Sequence, residues 1–173
     1  MVPPATTPQA SPTRCVEPAA VYHGVNAEVL RAILKVESSF RADVVSRNTN
    51  GTIDVGIAQI NSLHFAKLRQ YKISPSDLLD PCVGTYVAAW HLARQTAAYG
   101  NTWFAIGAYH SATPVHNTRY QGLIWRAIHK MRSPDADRGT RQKVSTPAFT
   151  VASASQASFS APSSPIIALE GEP

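Results

Sequence analysis

Glu37 stands in a stretch that is otherwise apolar at helical spacing. In Val29-Leu30-Arg31-Ala32-Ile33-Leu34-Lys35-Val36-Glu37, the residues Leu30, Ile33 and Leu34 form one stripe at about 100° per residue, and Glu37 projects from within it. Burial disfavours the charged form of a carboxyl, so an acid in apolar surroundings keeps its proton to higher pH. A general acid working near neutrality needs that property. A glutamate at a helix end also serves as an ordinary solvated charge, or pairs with a neighbour such as Lys35 or Arg41.

The segment that follows, Asn48 to Asn61, is polar and turn-rich. Asn50-Gly51 signals a tight hairpin, because both residues tolerate positive φ. Thr52 to Val55 reads as a brief strand with Ile53 and Val55 on one face and Asp54 on the other. Gly56 marks a close approach of the backbone to something, a ligand among the candidates. Gln59 and Asn61 each donate and accept hydrogen bonds, which suits sugar hydroxyls and acetamido groups. Further on, the apolar run Trp103 to Ala108 ends in a single phenol, Tyr109, followed by His110.

Glu37-Ser38-Ser39-Phe40, the hairpin, Asp54-Val55-Gly56-Ile57-Ala58-Gln59-Ile60-Asn61-Ser62, Leu78-Leu79-Asp80-Pro81-Cys82 and Ala108-Tyr109-His110 occur in that order. Together they resemble the lysozyme-like lytic transglycosylases. The likeness is closest to the small specialised members that accompany type IV secretion, conjugation, pilus and type III secretion machines. It runs from about Arg14 to Arg132. The resemblance implies Glu37 as the catalytic acid, Ser38 helping to position it, and Tyr109 set against it as its orienting group. It places Gly56, Gln59, Asn61, Ala108 and His110 along a glycan-binding cleft. The family has asparagine where this chain has His110, and a histidine there either bonds sugar or titrates near neutrality. The implied substrate is the glycan strand of peptidoglycan, the implied location the periplasm, and the implied partners are components of secretion or conjugation machinery. Cys15 and Cys82 allow one intramolecular pairing, or stand as two buried free thiols in a cytoplasmic setting. The resembling periplasmic enzymes often carry such a pair, which implies a disulfide tying the first helix to the start of the long fourth one.

Two outcomes are open for the same bond. In a lytic transglycosylase Glu37 protonates the glycosidic oxygen and then acts as base on the muramoyl 6-hydroxyl, closing a 1,6-anhydro ring. In a hydrolytic lysozyme a second carboxylate supports the oxocarbenium-like state and water completes the reaction. The span from Glu37 to Asp54 resembles animal c-type lysozymes, so Asp54 either stabilises the cation or caps the hairpin. Those lysozymes hold more disulfides and lack the Ala-Tyr pair, so the transglycosylase is the expected outcome. A non-catalytic glycan-binding assembly factor, with Glu37 as a mere sugar contact, is the third possibility. The intact set of Glu37, Ser38, Gly56, Gln59 and Tyr109 speaks against it.

The elements that must hold these residues read as mostly α, with one small β-hairpin beside the cleft. By resemblance this is a lysozyme-like α+β domain. A helix from Thr13 ends at His23 before Gly24, and Asn26 caps the Glu37 helix. Ser62 is placed to cap a short helix to Arg69, and Asp80-Pro81 to open a long one to Tyr99. Val83, Val87, Trp90 and Ala97, with Tyr86 and Leu92, are its expected core face. Asn101 is placed to cap a helix to Ser111, and Thr118 to Met131 reads as the last one. Residues 1–12 read as a flexible segment, 13–132 as the catalytic domain, and 133–173 as a disordered Ser/Ala/Pro-rich tail. That tail contains the apolar islands Ala148-Phe149-Thr150-Val151 and Ile166-Ile167-Ala168-Leu169.

With 16 Lys/Arg against 11 Asp/Glu the chain carries +5, which suits an anionic polymer. The basic residues are scattered and no nucleic-acid motif occurs, so nucleic acid is not an expected partner. There is no HExxH, and the six histidines lack ligand spacing, so no metal is expected. Without GxSxG, Walker or dinucleotide fingerprints, no cofactor is expected either. No stretch is long enough to span a membrane, and Met1 to Pro12 lacks the basic and apolar regions of a signal peptide. The expectation is a mature periplasmic chain whose signal peptide has been removed.

Overall fold

Helix α2, Ala27–Ser38, forms where the apolar stripe predicts it. Asn26 caps it: its side-chain oxygen accepts the N–H groups of Glu28 at 2.9 Å and Val29 at 3.0 Å. Leu30, Ile33 and Leu34 are fully buried. The helix stops where Ser39 and Phe40 turn left-handed, at φ 55° and 66°, and the chain swings away toward a small sheet. This computed structural model describes residues 11–133. Apart from positions 11, 12 and 133, the expectations for residues 1–12 and 133–173 lie outside the described residues.

Three helices pack around α2. Helix α1, Val16–His23, ends at Gly24 in the left-handed conformation, as expected, but it begins three residues later than Thr13, after a turn. Helix α4, Pro81–Tyr99, opens on Asp80, whose carboxylate accepts the N–H groups of Cys82 and Val83. Helix α6, Pro114–Arg132, starts four residues before Thr118, because Pro114 supplies a pre-formed first turn. The buried core gathers Leu30, Ile33 and Leu34 of α2 with Val87, Ala88 and Leu92 of α4 and Ile124 and Ile128 of α6. Ala97 proves exposed, and Val83, Tyr86 and Trp90 are only half-buried. They flank an apolar groove shared with Tyr22, Tyr71 and Ile73.

The sheet contains three antiparallel strands, one more than a hairpin: β1 Val45–Arg47, β2 Ile53–Val55 and β3 Ile60–Asn61. Asp54 lies opposite Ser46 on one side and Asn61 on the other. Gly51 takes φ 83° in the expected turn. Two caps lie one residue away from their expected positions. Asn61, not Ser62, accepts the N–H of Leu63 and opens the 3-10 turn Ser62–His64 that leads into α3, Phe65–Arg69. Thr102, not Asn101, caps α5, Trp103–Ala108, by accepting the N–H of Ala105. In both places the capping side chain is the residue whose own backbone is extended just before the helix.

Gly56 sits at φ 81°, and a Cβ there would lie 2.0 Å from the carbonyl oxygen of Leu78. The close partner is therefore the protein's own backbone and not a ligand. No described helix is long and apolar enough to cross a membrane.

A disulfide joins Cys15, just before α1, to Cys82 in the first turn of α4, 67 residues apart in sequence. In the chain-entropy account a loop of that length stabilises the fold by about 4 kcal/mol. Replacing both cysteines by serine is expected to lower the urea-unfolding free energy by that order. A loss below about 1 kcal/mol would contradict a stabilising crosslink.

Candidate active site

Glu37 occupies the last turn of α2, half-buried, and lines a cleft of about 780 Å³ between the sheet and the helices. Its carboxyl is raised from 4.5 to about 7. Burial is the main cause, the negative charge of Asp54 adds to it, and a hydrogen bond from Tyr120 opposes it. That bond runs from the Tyr120 hydroxyl to Oε1 of Glu37 at 2.5 Å. The described ion pairs are Arg31–Glu17 and Arg132–Glu28, so neither Lys35 nor Arg41 neutralises Glu37. Arg41 turns instead to the carbonyl of Ser38.

Ser38 is buried and donates its hydroxyl to the carbonyl of Ile57 at 2.7 Å. The helix end that carries Glu37 is thereby tied to the loop between β2 and β3. Tyr109, in the turn after α5, donates to the carbonyl of Ala58 at 3.2 Å and makes no hydrogen bond to Glu37. Its ring lies parallel to that of Tyr120, with centroids 6.3 Å apart. The phenol that hydrogen-bonds Glu37 is thus Tyr120, on α6. Sequence reading missed it because Tyr120 falls in an ordinary helical stripe with Asn117, Ile124 and Ile128. The available signal was a pair of polar side chains, Asn117 and Tyr120, on the buried face that Ile124 and Ile128 continue.

Asp54 is held by two amides, Asn48 to Oδ2 at 2.8 Å and Asn61 to Oδ1 at 2.7 Å. Gln59, at φ 47°, accepts from Ser46 and donates to the carbonyls of Gly56 and Val44. Both Gln59 and Asn61 line the cleft, yet their N–H groups are engaged within the framework. Each keeps an oxygen lone pair. Ala108 is buried, and neither it nor Gly56 is among the residues lining the cleft. His110 does line it, exposed, and stacks on the Tyr120 ring at 5.1 Å and 8°.

His91 is a second residue that sequence reading missed, because it lies on the buried face of α4. Its Nε2 is 3.1 Å from the carbonyl of Tyr109, which only accepts, so the proton sits on Nε2. Burial lowers its pKa to about 4, so the ring is neutral at pH 7, with Nδ1 unpartnered. Among the described residues, no three of His, Cys, Asp and Glu gather in a way that could hold a metal ion.

Among the described residues, six α-helices, a three-stranded sheet and a half-buried carboxyl at the end of α2 make up the mostly α, lysozyme-like architecture. The chain belongs to the Transglycosylase SLT domain family, which it matches over residues 14–122. Individual relatives extend the match. Invasion protein IagB of Salmonella typhimurium (strain SL1344) is 32% identical over 123 residues, 68% of this chain and 77% of that protein. Protein IpgF of Shigella flexneri is 36% identical over 100 residues, covering 57% of this chain and 66% of IpgF. X polypeptide of Escherichia coli (strain K12) is 31% identical over 142 residues, 78% of this chain and 84% of its own length.

A carboxyl whose pKa is higher folded than unfolded binds its proton more readily in the folded chain. The contribution of Glu37 to stability is therefore fully present below about pH 4.5 and is lost as pH rises towards and through 7. Glu37→Gln keeps the Tyr120 contact without the charge. At pH 8 it is expected to be more stable than the wild type, by about 3 kcal/mol at most, and equal to it at pH 4. Denaturant unfolding at the two pH values checks this, and an equal or less stable variant at pH 8 would contradict the buried-acid assignment.

Proposed function

We propose that the domain cleaves the β-1,4 bond between N-acetylmuramic acid and N-acetylglucosamine in peptidoglycan and forms the 1,6-anhydro product. The supporting observation is Glu37, whose carboxyl is raised to about 7 inside an open cleft and is held by one phenol. Protonated Glu37 gives its proton to the glycosidic oxygen, and the bond from that oxygen to C1 of the muramic acid breaks. The sugar passes through an oxocarbenium-like state, and O6 attacks C1 while the Glu37 carboxylate takes the O6 proton. Acid and base work are opposite demands on one group. The Tyr120 hydrogen bond favours the carboxylate after the first transfer, and burial favours the protonated form needed for the next cycle.

Ser38, Tyr109 and Tyr120 act as positioning residues. Ser38 fixes the helix end against Ile57, and Tyr109 sets the packing of Tyr120. Asp54 stabilises positive charge developing at C1. Gln59, Asn61 and His110 contact the glycan along the cleft. The reaction would take place in the periplasm and open the wall locally for a secretion or conjugation apparatus. The disulfide and the likeness to a protein named for invasion support that setting. Asp54 in the same cleft also favours a second outcome, hydrolysis by a Glu37/Asp54 pair.

Mass spectrometry of fragments released from purified peptidoglycan tests this. Muropeptides one water lighter than the reducing form support ring closure, and reducing ends would assign hydrolysis. If the wild type releases no fragments, a glycan-binding assembly factor takes the place of both. Glu37→Gln is expected to lower turnover by about 10²–10⁴-fold. Wild-type activity is expected to fall on the alkaline side of about 7, as the acid loses its proton.

A further inference from the structure

The helical wall of the cleft carries a cluster of N–H donors, of which the reaction above uses only His110, as a glycan contact. His110 lies in the turn after α5 and lines the cleft. His116, from the first turn of α6, lines it as well. Arg119, three residues further along α6, is exposed and close enough to act on His110 electrostatically. Burial, His116 and Arg119 all push the His110 ring away from its charged form, and only Asp54 opposes them. The first turn of α6 contains no acidic residue. The described ion pairs lie elsewhere, so no carboxylate of the described residues pairs with Arg119. The opposite wall carries Asp54, held by neutral amides. The sheet side of the cleft thus carries the Asp54 carboxylate, and the helical side carries Glu37 on α2, the His110 and His116 imidazoles and, just beyond the lining, the Arg119 guanidinium.

An uncharged polysaccharide offers no anion to pair with Arg119. Muramic acid differs from N-acetylglucosamine by a lactyl group at O3. That group ends either in a free carboxylate or in a peptide stem that bears carboxylates of its own. We propose that His110, His116 and Arg119 form a carboxylate-recognition subsite that reads the lactyl side of a muramic acid residue. Arg119 offers the planar, permanently charged fork that pairs with carboxylates, and each imidazole offers an N–H donor whether neutral or charged. Asp54 repels the same anion, so the two walls together set which side of the strand faces α6. The subsite rests on the peptidoglycan reading and adds to it a preference for acid-bearing strands over plain N-acetylglucosamine polymer.

Binding separates this subsite from the reaction it serves. The full chain carrying Glu37→Gln is titrated calorimetrically with three glycans of equal sugar length. These are strands with intact stems, amidase-trimmed strands that end in lactyl carboxylates, and chitooligosaccharides with no carboxylate. At least one acid-bearing ligand is expected to bind about tenfold more tightly than the chitooligosaccharide at low salt, with the preference shrinking as salt rises. Adding His116→Asn and Arg119→Gln, both at exposed positions, is expected to erase the preference and leave chitooligosaccharide affinity in place. A preference for intact stems alone assigns the carboxylates of the peptide, and one for trimmed strands alone assigns the lactyl group. Equal affinity for all three ligands, or an equal loss on all three in the variant, overturns the subsite. If no glycan binds at all, the peptidoglycan reading itself fails.

Discussion

The loop Gly56–Gln59 is where the parts of the site meet, and hydrogen bonds to its carbonyls hold them together. Ser38 at the end of α2 donates to Ile57, Tyr109 after α5 donates to Ala58, and Gln59 closes the loop on itself through Gly56. The loop is wedged tightly enough that two glycines are needed beside it. A Cβ at Gly56 would strike the Leu78 carbonyl, and one at Gly84 would lie 2.8 Å from the Ile57 side chain. The sheet, α2 and α4 therefore cannot shift independently near Glu37. Buried carbonyls that lost such donors would each cost about 1–3 kcal/mol, so the arrangement is strongly preferred over a loosened one.

On this frame, the electrostatics of Glu37 follow from competition between burial and one hydrogen bond. Burial wins, because the net shift is upward despite the Tyr120 contact. Tyr120 and Tyr109 are themselves buried, which pushes both phenols well above their usual range. Each therefore keeps its proton and remains a donor at any pH where the carboxyl titrates. His91 works in the same direction: it stays neutral beside Tyr109 and adds no charge that would pull Glu37 down.

Much of this was legible from residue type and local spacing. Asn26, Asp80-Pro81 and Gly24 each act within a few residues of themselves and the structure uses them as expected, while of Asn50-Gly51 only Gly51 takes positive φ, in a five-residue connection between β1 and β2. The stripe holding Glu37 was legible for the same reason. What escaped reading depends on distant parts of the chain. Tyr120 reaches Glu37 across 83 residues, and Gly56 answers to Leu78, not to its own neighbours. Strand β3 is two residues long and exists only because β2 pairs with it. Caps drifted by one residue where two candidates stood side by side, as at Asn61-Ser62 and Asn101-Thr102. Choosing between them requires the backbone angle, which composition does not carry. Ala97 looked like core because α4 is apolar on several faces, and its last turn runs out past the packing.

Asp54 shows why framework and electrostatic roles need not be alternatives. Its two oxygens accept from Asn48 and Asn61, which join the hairpin turn to β3, so the carboxylate is a structural member of the sheet. Those donors are neutral amides, and none of the described ion pairs involves Asp54. Its negative charge is therefore positioned without being cancelled. The field it leaves in the cleft already acts on Glu37, helping to raise it, and on His110 across the gap. The same field would favour positive charge developing on a sugar between the walls. That contribution is common to ring closure and to hydrolysis, since both pass through a cationic sugar. The outcome then turns on which nucleophile, O6 or water, reaches C1 first, and the charge of Asp54 does not distinguish between them.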